Sequence, residues 1–223
     1  MSIILPKEKK KEKAAIHYHN VTSKDLLLIF TRNPELGKCK TRLAATVGSQ
    51  SALDIYKFLL EHTAALTKDA NAAKQVWYSE EIWENDIWEN AIFDKKLQQG
   101  FDLGMRMAYA FQEGFAAGFE RIIIIGSDMY DLKTIDIDNA FTLLESNDYV
   151  IGPAHDGGYY LLGMTTFNGA LFQNKTWGTE TVLQDTLDDL KDKNIHLLET
   201  RNDVDIYEDI AGIEAFQPYL TNL

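Results

Sequence analysis

The sequence predicts an α/β protein in which a mostly parallel sheet carries helices on both faces. Two apolar runs, Leu26 to Phe30 and Ile122 to Ile125, lack the in-and-out alternation of a half-buried strand. Such continuous runs belong to strands covered on both sides. Between them, apolar residues recur at helical spacing, and that alternation of strand and helix favours a single layered sheet.

Taken in order, residues 1–23 read as a polar N-terminal extension and residues 24–223 as a single domain, beginning with the strand DLLLIF. Residues 49–68, SQSALDIYKFLLEHTAALTK, place Leu53, Tyr56, Leu60 and Ala64 on one helical face, with Ser49 or Ser51 as its cap. KQVWYS is the second core strand. In EEIWENDIWENAIFDKK, Ile82 to Asn85 echoes Ile87 to Asn90, but a period of five fits neither helix nor strand; a binding platform is one reading of its tryptophans, and a helix leaning against the core is the expected one. Met107, Phe111, Phe115 and Phe119 form a stripe before the isoleucine strand, and Ile137, Ala140, Phe141 and Leu144 form one after it. DYVIGPA and GYYLLGM predict two more strands, TETVLQDTLDDLKDK a helix and NIHLLE a late strand, followed by a short terminal helix.

Composition narrows the function classes. With 22 Lys plus Arg against 34 Asp plus Glu, the net charge of −12 argues against a general binder of nucleic acid or anionic membrane, though a local basic patch is compatible with it. The single cysteine, Cys39, cannot form an internal disulfide, and no apolar run is long enough to cross a bilayer. The opening MSIILPKEKKKEKAAIHYHN lacks the apolar core of a signal peptide, so a cytoplasmic location is expected.

Chemistry concentrates after the strands. TRNPELGKCKTRL, residues 31–43, crowds Arg32, Lys38, Lys40 and Arg42 into one loop of an acidic chain. Such a loop can turn backbone N–H groups and cations onto phosphate oxygens, or it can be a solvated turn that offsets nearby acids. It has neither Walker nor dinucleotide-binding glycine spacing, which weighs against a dehydrogenase. At the end of the isoleucine strand, Asp128 follows Gly126 and Ser127, and ligands of open α/β sheets bind at that edge. Turn formation and helix capping by Asp131 are the plain alternatives. A second acid, Asp156, precedes Gly157 and Gly158, where missing side chains admit a ligand to the backbone. Mg²⁺ takes one or two carboxylates plus substrate phosphates, so acids from separate strand ends facing a cationic loop suit a metal-bound nucleotide diphosphate. NDVDIYED adds Asp203 and Asp205, although Asp205 with Glu208 also fits a capping box.

TRNPELGKCKTRL, QQGFDLGMRM, IIIIGSDMYDL, GPAHDGGYYLLGM, LF ahead of TWGT, and DVDIYEDI occur in that order over about residues 25–212. Together they resemble a bacterial family of small glycosyltransferase candidates, long catalogued as a domain of unknown function and similar to small nucleotidyltransferases. The resemblance implies a three-layer, Rossmann-like nucleotide-diphospho-sugar transferase (GT-A) fold with a mostly parallel mixed sheet. It implies that Arg32, Gly37, Lys40 and Arg42 hold nucleotide phosphates and that Gln98, Asp102, Gly104 and Arg106 line a second nucleotide-side segment. Asp128, Asp156 and Arg42 become the catalytic candidates. Asp128 and Asp205 become ligands for Mg²⁺ or Mn²⁺, and Gly157, Gly158, Trp177 and Thr179 lie on the acceptor side.

Two departures stand out. Met129 and Tyr130 follow Asp128 where the family usually reads Gly-Ser-Asp-Cys-Pro, and Phe101 occupies a place where it often has Gly. The first functional expectation is a metal-dependent glycosyltransferase taking a nucleotide-diphospho-sugar. The second is a nucleotidyltransferase that couples a nucleoside triphosphate to a phosphorylated acceptor and releases pyrophosphate. The third is a nucleotide-binding protein without turnover. The base, sugar, acceptor, oligomeric state and role of Cys39 are left open by the sequence.

Overall fold

The structure, a computed structural model, describes residues 23–220. The extension expected at residues 1–23 lies outside the described residues except for Ser23. Seven strands are described: β1 (Asp25–Thr31), β2 (Ala73–Tyr78), β3 (Asp94–Leu97), β4 (Arg121–Ile125), β5 (Tyr149–Pro153), β6 (Tyr159–Met164) and β7 (Ile195–Leu197). They form a sheet in the order β3-β2-β1-β4-β6-β5-β7. β6 runs antiparallel to both its neighbours, and every other pairing is parallel. The fold is therefore the mostly parallel mixed α/β sheet expected from the sequence.

The helices are α1 (Thr41–Val47), α2 (Ser49–Lys68), α3 (Leu103–Ala116), α4 (Thr134–Leu143) and α5 (Val182–Asp189). Continuous apolar strands follow directly from their position between layers. Leu27 and Ile29 point into a core with Tyr56 and Leu60 of α2 and with Ile137 and Phe141 of α4. Leu26 and Leu28, one residue out of phase, pack with Met107 and Phe111 of α3. Both halves of each strand's alternation are thus apolar, as burial on both faces requires.

Several local expectations change. The tryptophan segment is not a helix. The Asp86 carboxylate accepts hydrogen bonds from the Trp88 amide (3.0 Å), Lys95 Nζ (2.8 Å) and Tyr78 Oη (2.5 Å), so the chain folds around that side chain as a loop. Trp88 nonetheless enters the core, edge-on to Phe93 at 5.1 Å. The short helix α1 and the edge strand β3 were both unforeseen. Neither Ser49 nor Ser51 caps α2; its N-cap is Gly48. The terminal helix resolves into two 3-10 turns, Tyr207–Asp209 and Glu214–Tyr219. Among the described residues, no helix is long and apolar enough to cross a membrane.

Candidate active site

Strand order reverses between β1 and β4, from which the chain moves in opposite directions along the sheet, from β1 to β2 and from β4 to β5. A crevice opens outside the carboxyl ends of strands at such a switch point. The loop after β1 and the loop after β4 flank it, and they are joined by an ion pair. Lys40 Nζ lies 2.8 Å from Asp128 Oδ2, and the lysine side chain is 7% exposed. Lys40 reaches that position in a left-handed backbone conformation, φ 48° and ψ 47°, at the start of α1. That conformation costs a non-glycine residue about 1–2 kcal/mol.

The base of the crevice is held by a buried hydroxyl network. Tyr56 Oη accepts from the Arg32 amide (2.9 Å) and lies 3.3 Å from Ser127 Oγ, which is 3.3 Å from Thr31 Oγ1. Burial raises the Tyr56 phenol, keeping it neutral. Asn33 fixes the other side of the first loop, donating to the Glu81 carbonyl at 2.9 Å and accepting from the Glu80 amide at 3.1 Å. Arg32 and Gly37 are left exposed to solvent.

Acids surround Lys40. The segment after β7 is pinned beside β5 by Arg201, whose amide donates to the Pro153 carbonyl and whose carbonyl accepts from the His155 amide, both at 3.0 Å. The Val204 amide then donates to the Asp128 carbonyl at 3.1 Å. This places Asp203 in the same cavity lining as Asp128 and Asp156. Burial, reinforced by Asp128 and opposed by Lys40, pushes the Asp203 carboxyl up to about 6. Lys40 shows the converse. Burial alone lowers it, but Asp128, with Asp203 and Asp205 beyond, leaves it raised. Asp205 itself pairs with Arg42 Nη1 at 2.6 Å, and the arginine is 73% exposed. Asp209, rather than Glu208, receives the Asp205 and Ile206 amides at 2.8 and 2.7 Å.

Among the described residues, no three His, Cys, Asp or Glu side chains are already gathered as a metal site. Three acids nevertheless surround one buried ammonium, and burial beside Asp128 holds one of them, Asp203, above the usual carboxylate range. A hard cation that takes one or two carboxylates and completes its shell with phosphate and water fits this donor set.

The remaining sequence candidates divide by position. Gln98 donates to the Trp77 and Thr31 carbonyls at 2.9 and 3.3 Å and accepts from Arg106 Nη1 at 3.3 Å. Asp102 caps α3 by accepting from the Met105 amide at 2.7 Å, so these three side chains shape the β3–α3 loop. Gly104 is separated from them, for a Cβ there would lie 2.5 Å from Trp177 Nε1. A residue read as nucleotide-side therefore permits the close approach of one read as acceptor-side. Gly157 has φ +86° and abuts the Glu180 backbone, while the Gly158 amide donates to Asp156 Oδ1 at 2.9 Å. Thr179 caps no helix; its hydroxyl donates to the Thr176 carbonyl at 2.7 Å.

The two departures have structural answers. Met129 is buried in the core, and Tyr130 packs 4.9 Å from Phe216 and 6.0 Å from Phe58. Side-chain packing thus anchors the turn after Asp128. Phe101 is 96% exposed in the loop between β3 and α3. Asp203 is the residue that sequence reasoning undervalued. Its signal was present in NDVDIYED, but its neighbour Asp205 was preferred.

A family model described as "Uncharacterized protein conserved in bacteria (DUF2064)" matches residues 62–179, more than half of the chain. The chain belongs to that family. No curated protein matched. Among solved structures, the chain is similar to a "putative nucleotide-diphospho-sugar transferase" from Desulfovibrio desulfuricans G20, with 32% identity and TM-score 0.77 over 82% of this chain and 83% of that one. It is also similar in fold to a cytidylyltransferase from Leptospira borgpetersenii (13% identity, TM-score 0.53, 82% and 78% covered). A third similar fold is Rv0371c from Mycobacterium tuberculosis in complex with manganese (10% identity, TM-score 0.50, 89% and 99% covered). The DUF2064 match contains Asp128 and Asp156 but neither the Lys40 loop nor the late acids.

Proposed function

We propose that this DUF2064 protein is a transferase acting on a nucleotide-linked donor, and that the donor is a nucleotide-diphospho-sugar. The observation that carries the reading is the buried Lys40–Asp128 pair across the switch point, ringed by Asp203, Asp156 and Asp205. A single fixed cation amid excess carboxylate is suited to a ligand that brings both phosphates and a metal. The 32%-identical relative described as a nucleotide-diphospho-sugar transferase supports the same class.

The donor diphosphate lies along the first loop, with Lys40 and Arg42 against its oxygens and Arg32 and the Gly37 backbone at the loop's outer end. Asp128, with Asp203 and Asp205 at hand, would hold Mg²⁺ or Mn²⁺, which would neutralise charge on the leaving diphosphate; a manganese complex of a similar fold supports the choice. An acceptor hydroxyl oxygen forms a bond to the anomeric carbon, the bond from that carbon to the phosphate oxygen breaks, and the nucleoside diphosphate departs. The hydroxyl proton passes to the Asp156 carboxylate. Fixed charges and alignment of donor and acceptor contribute most of the acceleration.

Three exposed cations of the first loop, Arg32, Lys38 and Arg42, also suit a triphosphate, which favours the nucleotidyl reading as the second choice. Product analysis separates the two. Incubation with nucleotide sugars or nucleoside triphosphates, a library of alcohols and sugar phosphates, and Mn²⁺ is expected to release nucleoside diphosphate rather than pyrophosphate. Pyrophosphate release would replace the first reading with the second. No consumption of any donor would leave a nucleotide-binding protein without turnover.

A further inference from the structure

Asp128, Asp156 and Asp203 line only part of a larger cavity. Its volume is about 230 Å³. Its walls are Phe30 of β1, Ile124 of β4, Tyr159 of β6, Met107 of α3, Val182 of α5 and Trp177 of the turn before α5. Apart from Trp177, those residues come from strands and helices, whereas Asp128, Asp156 and Asp203 come from loops beyond the strand ends. The cavity is therefore largely apolar in its body, with the Tyr159 hydroxyl as a buried polar group without a partner among the described residues, and anionic where the loops meet it. Gly104 is part of its construction, since any side chain there would push Trp177 out of place.

This distribution selects among occupants. A bare sugar ring carries hydroxyls around its circumference, and each hydroxyl buried against a hydrocarbon wall without a partner costs about 1–3 kcal/mol. An apolar ring has no such cost and gains from leaving water. An apolar cavity of about 150 Å³ is known to hold benzene, so 230 Å³ accommodates one ring with a short substituent. Phe30, Tyr159 and Trp177 add flat surfaces, against which aromatic ligands pack edge-on or offset.

We propose that the cavity binds the apolar ring of an amphipathic acceptor, an aryl or alicyclic alcohol whose hydroxyl lies at the carboxylate rim. The word acceptor rests on the transferase reading; binding of the ring does not.

The test uses the full chain and benzyl alcohol as probe, with methyl glucoside as the polar-ring counterpart, both titrated by saturation-transfer NMR. Saturable binding of benzyl alcohol, at least fivefold tighter than that of methyl glucoside, is expected from the wild type alone. Filling the cavity by Val182→Phe or, at a partly exposed wall residue, Leu103→Trp is expected to weaken benzyl alcohol at least fivefold with far-UV circular dichroism unchanged. Tighter binding of methyl glucoside, absence of saturable benzyl alcohol binding, or full binding by both folded variants would each overturn the proposal. Thermal shifts with nucleotides on the same samples separate the two readings. Nucleotide binding without benzyl alcohol binding overturns this inference alone. Benzyl alcohol binding without any nucleotide shift supports the cavity and removes the donor.

Discussion

Lys40 combines three costs: a left-handed backbone, a buried ammonium and an ordered long side chain. Asp128 offsets them, with Asp203 and Asp205 behind it. Removing the cation alone leaves the acids uncompensated, so Lys40→Met is expected to lower stability by about 2–3 kcal/mol in urea unfolding at pH 7.5. Lys40→Met combined with Asp128→Asn should recover part of that loss. A fully additive pair would show that the two side chains do not interact.

Asp203 gives the opposite sign. Its carboxyl is raised from 3.8 to about 6, so the folded chain binds this proton more tightly than the unfolded chain does. Its contribution is present below pH 4 and is lost as pH rises through 6. Asp203→Asn is therefore expected to stabilise the protein at pH 7.5 by about 1 kcal/mol, allowing for partial solvent screening, and to match wild type at pH 4. Equal stability at both pH values would contradict this account of the acid cluster. Asp128 and Asp156 were legible in the sequence because each follows an apolar run and lies within two residues of a glycine. Asp203 was visible only as one of two late acids. What separates it from Asp205 is its place in the cavity lining beside Asp128 and Asp156, a meeting of segments far apart in sequence, whereas Asp205 pairs with Arg42.

Among the elements, those buried on both faces were the most legible, because their apolar content is dictated by two layers at once. β1 and β4 are of this kind. β3, with the sequence DKKL, is a four-residue edge strand with two lysines, as edges protected from further pairing tend to be, and its pattern resembles a loop. The tryptophan loop misled for a different reason. Asp86 supplies side-chain hydrogen bonds that replace the backbone bonds of a helix, and Trp88 then finds the core without helical periodicity. Trp88→Ala is expected to cost about 3–5 kcal/mol in urea unfolding, as for other buried aromatic truncations. At the turn before β6, Gly157 has a positive φ and no room for a Cβ against Glu180. Gly157→Ala is expected to cost about 1–3 kcal/mol and to displace the Asp156 loop. A variant as stable as wild type would mean that the turn is far more pliant than its contacts imply.

For the whole molecule, the sheet order accounts for the site. Reversal between β1 and β4 leaves a crevice, the loops on either side contribute opposite charges, and the segment after β7 folds back to add further acid. A ligand for this crevice stabilises the folded chain by an amount that grows with the logarithm of its saturation, so modest affinity is measurable. The most direct measurement is a thermal-shift series of nucleoside diphosphates, triphosphates and nucleotide sugars, with and without Mg²⁺ or Mn²⁺, on wild type and Asp128→Asn. A metal-dependent rise in Tm confined to one nucleotide class, and weakened in Asp128→Asn, is the predicted result. No shift with any nucleotide, or a shift unchanged by the substitution and by metal, would contradict the assignment of this crevice as a nucleotide-diphosphate site.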